Sequence, residues 1–166
     1  MQALAAGRVV VMRPIAQLHG ALPMSSAPPA TIWSLHRQLE ADTVFVGDLP
    51  LSRVVAMTDA NYPWLLLVPR RIGASELADL DVTGQGQLMA EITQVSRALK
   101  TVAPCDKLNV AALGNIVPQL HVHVIARRTG DPAWPRPVWG VAPPLPYVPE
   151  ALARFTSALR QGLSFT

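Results

Sequence analysis

The sequence predicts an α+β domain: a five-stranded, mostly antiparallel sheet with one long helix and a C-terminal helix. Three features carry that expectation. Five short runs, "TVFVGDL", "SRVVAMT", "WLLLVP", "KLNVAAL" and "QLHVHVIA", have the length and composition of strands. One stretch, Leu88 to Val102, repeats its apolar residues at the helical period. Strands and helices do not alternate, as a doubly wound parallel sheet would require. The 166 residues suit one core, divided here into a flexible leader, residues 1–30, and a single domain, residues 31–166.

Along the chain, the leader has short apolar runs broken by Arg8, Arg13 and Pro14, unlike a targeting segment. Met24, followed by "SSAPPA", is a candidate translation start. "ATIWSLHRQLEAD" spaces Ile32, Trp33, His36 and Leu39 as a short helix. "TVFVGDL" is the first strand, ending in a turn signal at Gly47-Asp48. "SRVVAMT" and "WLLLVP" form a hairpin around "DANYP", and the unbroken apolarity of "WLLLVP" implies burial on both faces. Leu88, Ile92, Val95, Leu99 and Val102 then make one helical stripe, capped by Asp81 or Thr83 and ended by Pro104. "KLNVAAL" and "QLHVHVIA" are strands joined by "GNIVP". After a proline-rich stretch, Pro149 and Glu150 open a last helix with Leu152, Phe155 and Leu159 on one face.

Composition narrows the function classes. No run approaches the ~18 to 20 apolar residues of a membrane-spanning helix. A net charge of +3 without a Lys/Arg run favours a local anion site over a nucleic-acid footprint. The single Cys105 forms no internal disulfide or cysteine-rich metal site, and it fits a reducing cytoplasm.

The chemistry concentrates in "GNIVPQLHVHVIARR". On a strand Gln119, His121, His123 and Ile125 share one face, with the two imidazoles ~7 Å apart along the backbone. That spacing serves a single phosphate group or a single metal ion, and a purely structural pair of histidines is the third reading. Burying both without partners is costly, and imidazole suits nucleophilic or acid-base work near neutral pH. A zinc site needs further ligands, which His19, His36 and Asp131 supply poorly from their positions.

"QLHVHVIARRTGD" resembles the signature of the histidine triad (HIT) superfamily, His-φ-His-φ-His-φ-φ with φ apolar, on a strand that binds a nucleotide α-phosphate. The likeness extends through "VAMTDANYPWLLLVPRR", the long helix and "KLNVAALGNIVP", about Leu39 to Gly140. It places Gln119, His121 and His123 at the three triad positions, as the catalytic set. His121 then stands for the histidine that attacks the α-phosphorus, and His123 for the one that contacts the phosphate oxygens. Gln119 replaces the first histidine, an amide that hydrogen-bonds but does not titrate. Ile116 stands where many members carry a Ser or Thr near the leaving group, and Trp64 where a histidine is common.

For substrate binding the resemblance implies Asn109 near phosphate, with Gly114 and Asn115 forming a turn whose N–H groups approach an anion. Asn61 is a candidate ribose contact or a turn residue, and Arg127 and Arg128 are candidates for the outer phosphates, at most one of them facing the site. Trp134 and Trp139 are expected over a base, at a dimer contact, or as anchors of the proline-rich loop. The implied activity is hydrolysis or transfer at the α-phosphate of a nucleotide phosphoanhydride or phosphoramidate, such as a dinucleoside polyphosphate, through a nucleotidyl-histidine. A small-molecule nucleotide is the expected partner, in a homodimer. No cofactor is required, although a divalent ion can accompany a polyphosphate. A noncatalytic nucleotide-binding module and an HxH metal-dependent hydrolase are the alternatives.

Overall fold

The computed structural model describes residues 32–166; the leader, with His19 and Met24, lies outside them. The elements run α1 (Arg37–Asp42), β1 (Thr43–Asp48), β2 (Ser52–Met57), β3 (Trp64–Pro69), a 3₁₀ turn (Leu77–Asp79), α2 (Val82–Val102), β4 (Lys107–Ala111), β5 (Val122–Arg127) and α3 (Pro149–Gly162). The five strands form one sheet in the order β1-β2-β3-β5-β4, and every neighbouring pair is antiparallel. The expected α+β architecture is the one observed.

Strand alternation divides the core in two. Leu65 and Leu67 of β3, with Val122, Val124 and Ala126 of β5, pack on the α2 stripe Leu88, Ile92, Val95 and Leu99. Trp64, Leu66 and Val68, with Ile125, face the other way, against Leu39, Tyr62, Val117 and Val138. β3 is therefore buried along its whole length, which accounts for its unbroken apolar run. Each fully buried leucine contributes about 1.5–3 kcal/mol relative to exposure.

Local chemistry sets the ends of the elements. Asp81 is the α2 cap, its carboxylate accepting from Gly84 N at 2.6 Å, while Thr83 lies inside the helix. Glu91, one turn beyond Leu88, is buried on α2 and accepts from the N–H groups of Leu51 and Ser52, tying the β1–β2 turn to the helix.

Two expectations shift. Gly47 sits in a β-bulge rather than in the turn, with the Phe165 ring so close that a Cβ would meet it at 2.5 Å. The first helix starts only at Arg37, where His36 is the cap and its Nδ1 accepts from Gln38 N. The Ser34 carbonyl and the His36 N–H bond to the Gln119 side chain, while the His36 carbonyl accepts from Glu40 N in the first helical turn.

Candidate active site

His123 lies on β5, and His121 immediately precedes the strand, which starts at Val122 and not at the expected Gln119. His121 and His123 project from the sheet face opposite α2, each only 7% exposed, with ring centres 4.8 Å apart and planes at 72°. They form the floor of a cleft of about 450 Å³. Its walls come from Gln38, Leu39 and Asp42 of α1, Met57 of β2, Trp64 and Leu66 of β3, Leu113 to Val117, and Trp139.

Each imidazole is held through Nδ1. His121 Nδ1 lies 2.7 Å from the backbone carbonyl of Gln119. A carbonyl only accepts, so Nδ1 carries a proton, and in the neutral ring the lone pair is on Nε2. That is the form of a nitrogen nucleophile. His123 Nδ1 lies 3.0 Å from Trp64 Nε1, and the Trp139 ring stands edge-on to it at 5.3 Å. Burial, and then the neighbouring His121, push the His123 pKa down to about 3, so this ring stays neutral near pH 7.

Gly114 closes the β4–β5 connection with φ +72°, a conformation that requires glycine. Among the described residues none of the backbone N–H groups from Gly114 to Val117 has an acceptor, which leaves them for an anion or solvent. The lining side chains include no lysine or arginine. The cleft thus offers a lone pair, a neutral ring and a string of amides.

A HIT domain model matches residues 38–130, more than half of the chain. This chain belongs to the HIT family. Crystal structures of histidine triad proteins from Bradyrhizobium japonicum, Sinorhizobium meliloti and Marinobacter aquaeolei share its fold. The first is 64% identical with TM-score 0.78, covering 80% of this chain and 98% of that one. The second is 42% identical with TM-score 0.77, covering 79% and 97%. The third is 44% identical with TM-score 0.77, covering 80% and 97%. No curated protein matches the chain.

Within this HIT domain the residues expected at the site separate into two groups. His121, His123, Gly114 and Asn115 line the cleft together, with Ile116 91% exposed at its rim. Gln119 does not turn its side chain into the cleft. Its Oε1 accepts from His36 N at 2.8 Å and its Nε2 donates to Ser34 O at 2.9 Å. Gln119 therefore meets His121 through its backbone carbonyl, while its side-chain amide clasps the segment before α1.

Arg127 requires the firmest correction. It shares the histidine face by strand parity, yet it is 1% exposed and forks onto both Asp131 oxygens at 2.7 and 2.9 Å. Its Nη1 donates to Asn109 Oδ1 at 2.7 Å, and its guanidinium lies between the Tyr62 and Trp134 rings. The guanidinium holds the Asp131 carboxyl below its ordinary pKa. Arg127 thus joins Asn109 and Asp131 in a part-buried network, and neither Arg127 nor Asn109 lines the cleft. Asn61 donates to Asp59 Oδ1 and Pro143 O, which is turn chemistry, and Arg128 donates to Pro104 O.

The α1 wall was not foreseen. Gln38 and Asp42 are hydrogen-bonded to each other at 2.9 Å and both border the cleft. Their spacing of four residues on a short helix was the available signal.

Proposed function

We propose that this HIT protein is a nucleotide hydrolase or nucleotidyl transferase that works at an α-phosphate through a nucleotidyl-histidine. The observation that carries this reading is the His121 bond to the Gln119 carbonyl, which leaves Nε2 bare in the cleft. In the first step Nε2 attacks phosphorus, an N–P bond forms, and the bond to the leaving group breaks with its electron pair. The ring becomes cationic, and the Gln119 carbonyl, already accepting Nδ1–H, stabilises that charge. In the second step water or another hydroxyl acceptor attacks phosphorus, the N–P bond breaks with its electron pair returning to Nε2, and the proton of the attacking hydroxyl passes to solvent. His123 and the amides of Gly114 to Val117 would hold the phosphate oxygens. Gln119 does not abolish this route, because the route uses its backbone.

No cofactor takes part in these steps; with a polyphosphate substrate a divalent ion would offset charge that the lining side chains do not. An HxH metal site gains no support from geometry, since no cluster of three or more His, Cys, Asp or Glu is placed to hold a metal among the described residues. No described helix is long and apolar enough to cross a membrane, and the lone Cys105 is the basis for proposing a cytoplasmic location.

Ile116 provides the test of the reaction class. A hydrocarbon at the rim donates no proton, so the leaving group departs on its own acidity. Among nucleotide α-phosphate substrates, turnover should fall steeply as the leaving group becomes more basic. Ile116→Ser should raise turnover of amine-leaving substrates by about 10-fold or more, and leave phosphate-leaving substrates within about 2-fold. Nucleotide binding without turnover across that panel would point instead to a noncatalytic binding module.

A homodimer is the proposed assembly. β4 is an edge strand, and Val110 on it and Met89 on the adjacent face of α2 are 48% and 63% exposed beside an apolar groove. Light scattering should give twice the chain mass, and a monomer at micromolar concentration would remove the proposal.

A further inference from the structure

We infer that Trp64 is a positioning residue that holds His123 as a neutral imidazole with its proton on Nε2, the nitrogen left for the phosphate. The inference deepens the proposed reaction and rests on it for the role of that proton. Its geometry stands independently. Trp64 Nε1 and His123 Nδ1 are 3.0 Å apart, and both residues are buried. Indole N–H is a donor only, so the nitrogen opposite it must be an acceptor. Of the two neutral tautomers, only the one protonated at Nε2 satisfies the pair. The imidazolium fails as well, because its Nδ1–H would meet the indole N–H donor to donor.

The sheet holds the pair in place. Trp64 opens β3 opposite Ile125, and His123 lies opposite Leu66, so both side chains rise from one face of adjacent strands. Trp139 packs edge-on to both rings, at 5.8 Å from Trp64 and 5.3 Å from His123. A histidine in place of Trp64 would donate or accept and would titrate, leaving the proton of the pair unspecified. Tryptophan removes that freedom. The groups facing His123 are His121 on its own chain segment, Trp64 on β3 and Trp139, with Asp42 and Gln38 of α1 lining the same cleft. The outcome is a donor that does not switch off between mildly acidic and alkaline pH, beside a nucleophile whose own proton is fixed by a different acceptor. The same bond occupies the Nδ1 lone pair and leaves Nε2 protonated, so the neutral ring has no nitrogen lone pair to offer a metal.

Nuclear magnetic resonance of the full chain, labelled with ¹⁵N and free of nucleotide, tests this directly. In the wild type, His123 Nδ1 should resonate as an unprotonated nitrogen and Nε2 as a protonated one, unchanged from about pH 8 to pH 5. A coupling across the hydrogen bond should link Trp64 Nε1 to His123 Nδ1. In Trp64→Phe, with the fold checked by its amide spectrum, the Nδ1–H tautomer should appear, the His123 titration should move up from about 3, and turnover should gain an added ionisation. A wild-type His123 protonated at Nδ1, or one titrating near its ordinary value, overturns the inference even if the variant fails to fold. So does a folded variant with an unchanged tautomer and titration. If the tautomer is as inferred while no nucleotide turns over, the positioning role stands and the proposed reaction falls.

Discussion

His121→Ala is expected to lower kcat/KM for nucleotidyl transfer by at least about 10⁴-fold, with a folded domain and with nucleotide affinity changed only a few-fold. Among the described residues, the substitution removes the one ring nitrogen lining the cleft whose lone pair is free in the neutral ring, since the Nδ1 of His123 already accepts from Trp64. The remaining amides and His123 can still bind a phosphate but cannot form the N–P bond. Steady-state rates with a nucleoside phosphoramidate and a dinucleoside polyphosphate measure the loss. A fall of less than about tenfold on both would remove His121 from the attacking role.

Arg127→Ala is expected to cost about 3–5 kcal/mol of stability, the range for breaking a buried ion pair by removing one partner. The charge of Asp131 would be left with its backbone donors alone, Asn109 Oδ1 would lose its donor, and the space between Tyr62 and Trp134 would open. Urea unfolding should show a lower midpoint with an unchanged slope. The folded fraction should bind nucleotide as before. A loss below about 1 kcal/mol joined to weaker nucleotide binding would return Arg127 to the phosphates.

These two residues also show what the sequence makes legible. Strand parity alone puts His121, His123 and Arg127 on one face, and the helical period alone finds the α2 stripe. The antiparallel sense follows from the missing strand-helix alternation, whereas the strand order does not, since β5 and not β4 pairs with β3. What lies beyond sequence periodicity is the partner of each polar atom. Gln119 sits on the predicted face, but its amide partners Ser34 and His36 lie 85 and 83 residues upstream. Asp131 was visible four residues after Arg127, yet only the turn at Arg128 to Asp131 brings the carboxylate back onto the guanidinium. The bond from Trp64 to His123 crosses between two strands and joins residues 59 positions apart, so no local pattern reports it. Resemblance pointed to the cleft around His121 and His123, while the hydrogen-bond directions within it required three dimensions.

The covalent route is tested most directly by rapid mixing with a nucleotide labelled at the α-phosphate, quenching into alkali at successive times, and mass spectrometry of the digested protein. The account predicts one nucleotidyl group on His121, within the peptide that carries "QLHVHVIAR", forming before product, stable in alkali and lost in acid. It should be absent from His121→Ala. Product forming with no adduct at any time, or an adduct that persists in His121→Ala, would contradict it.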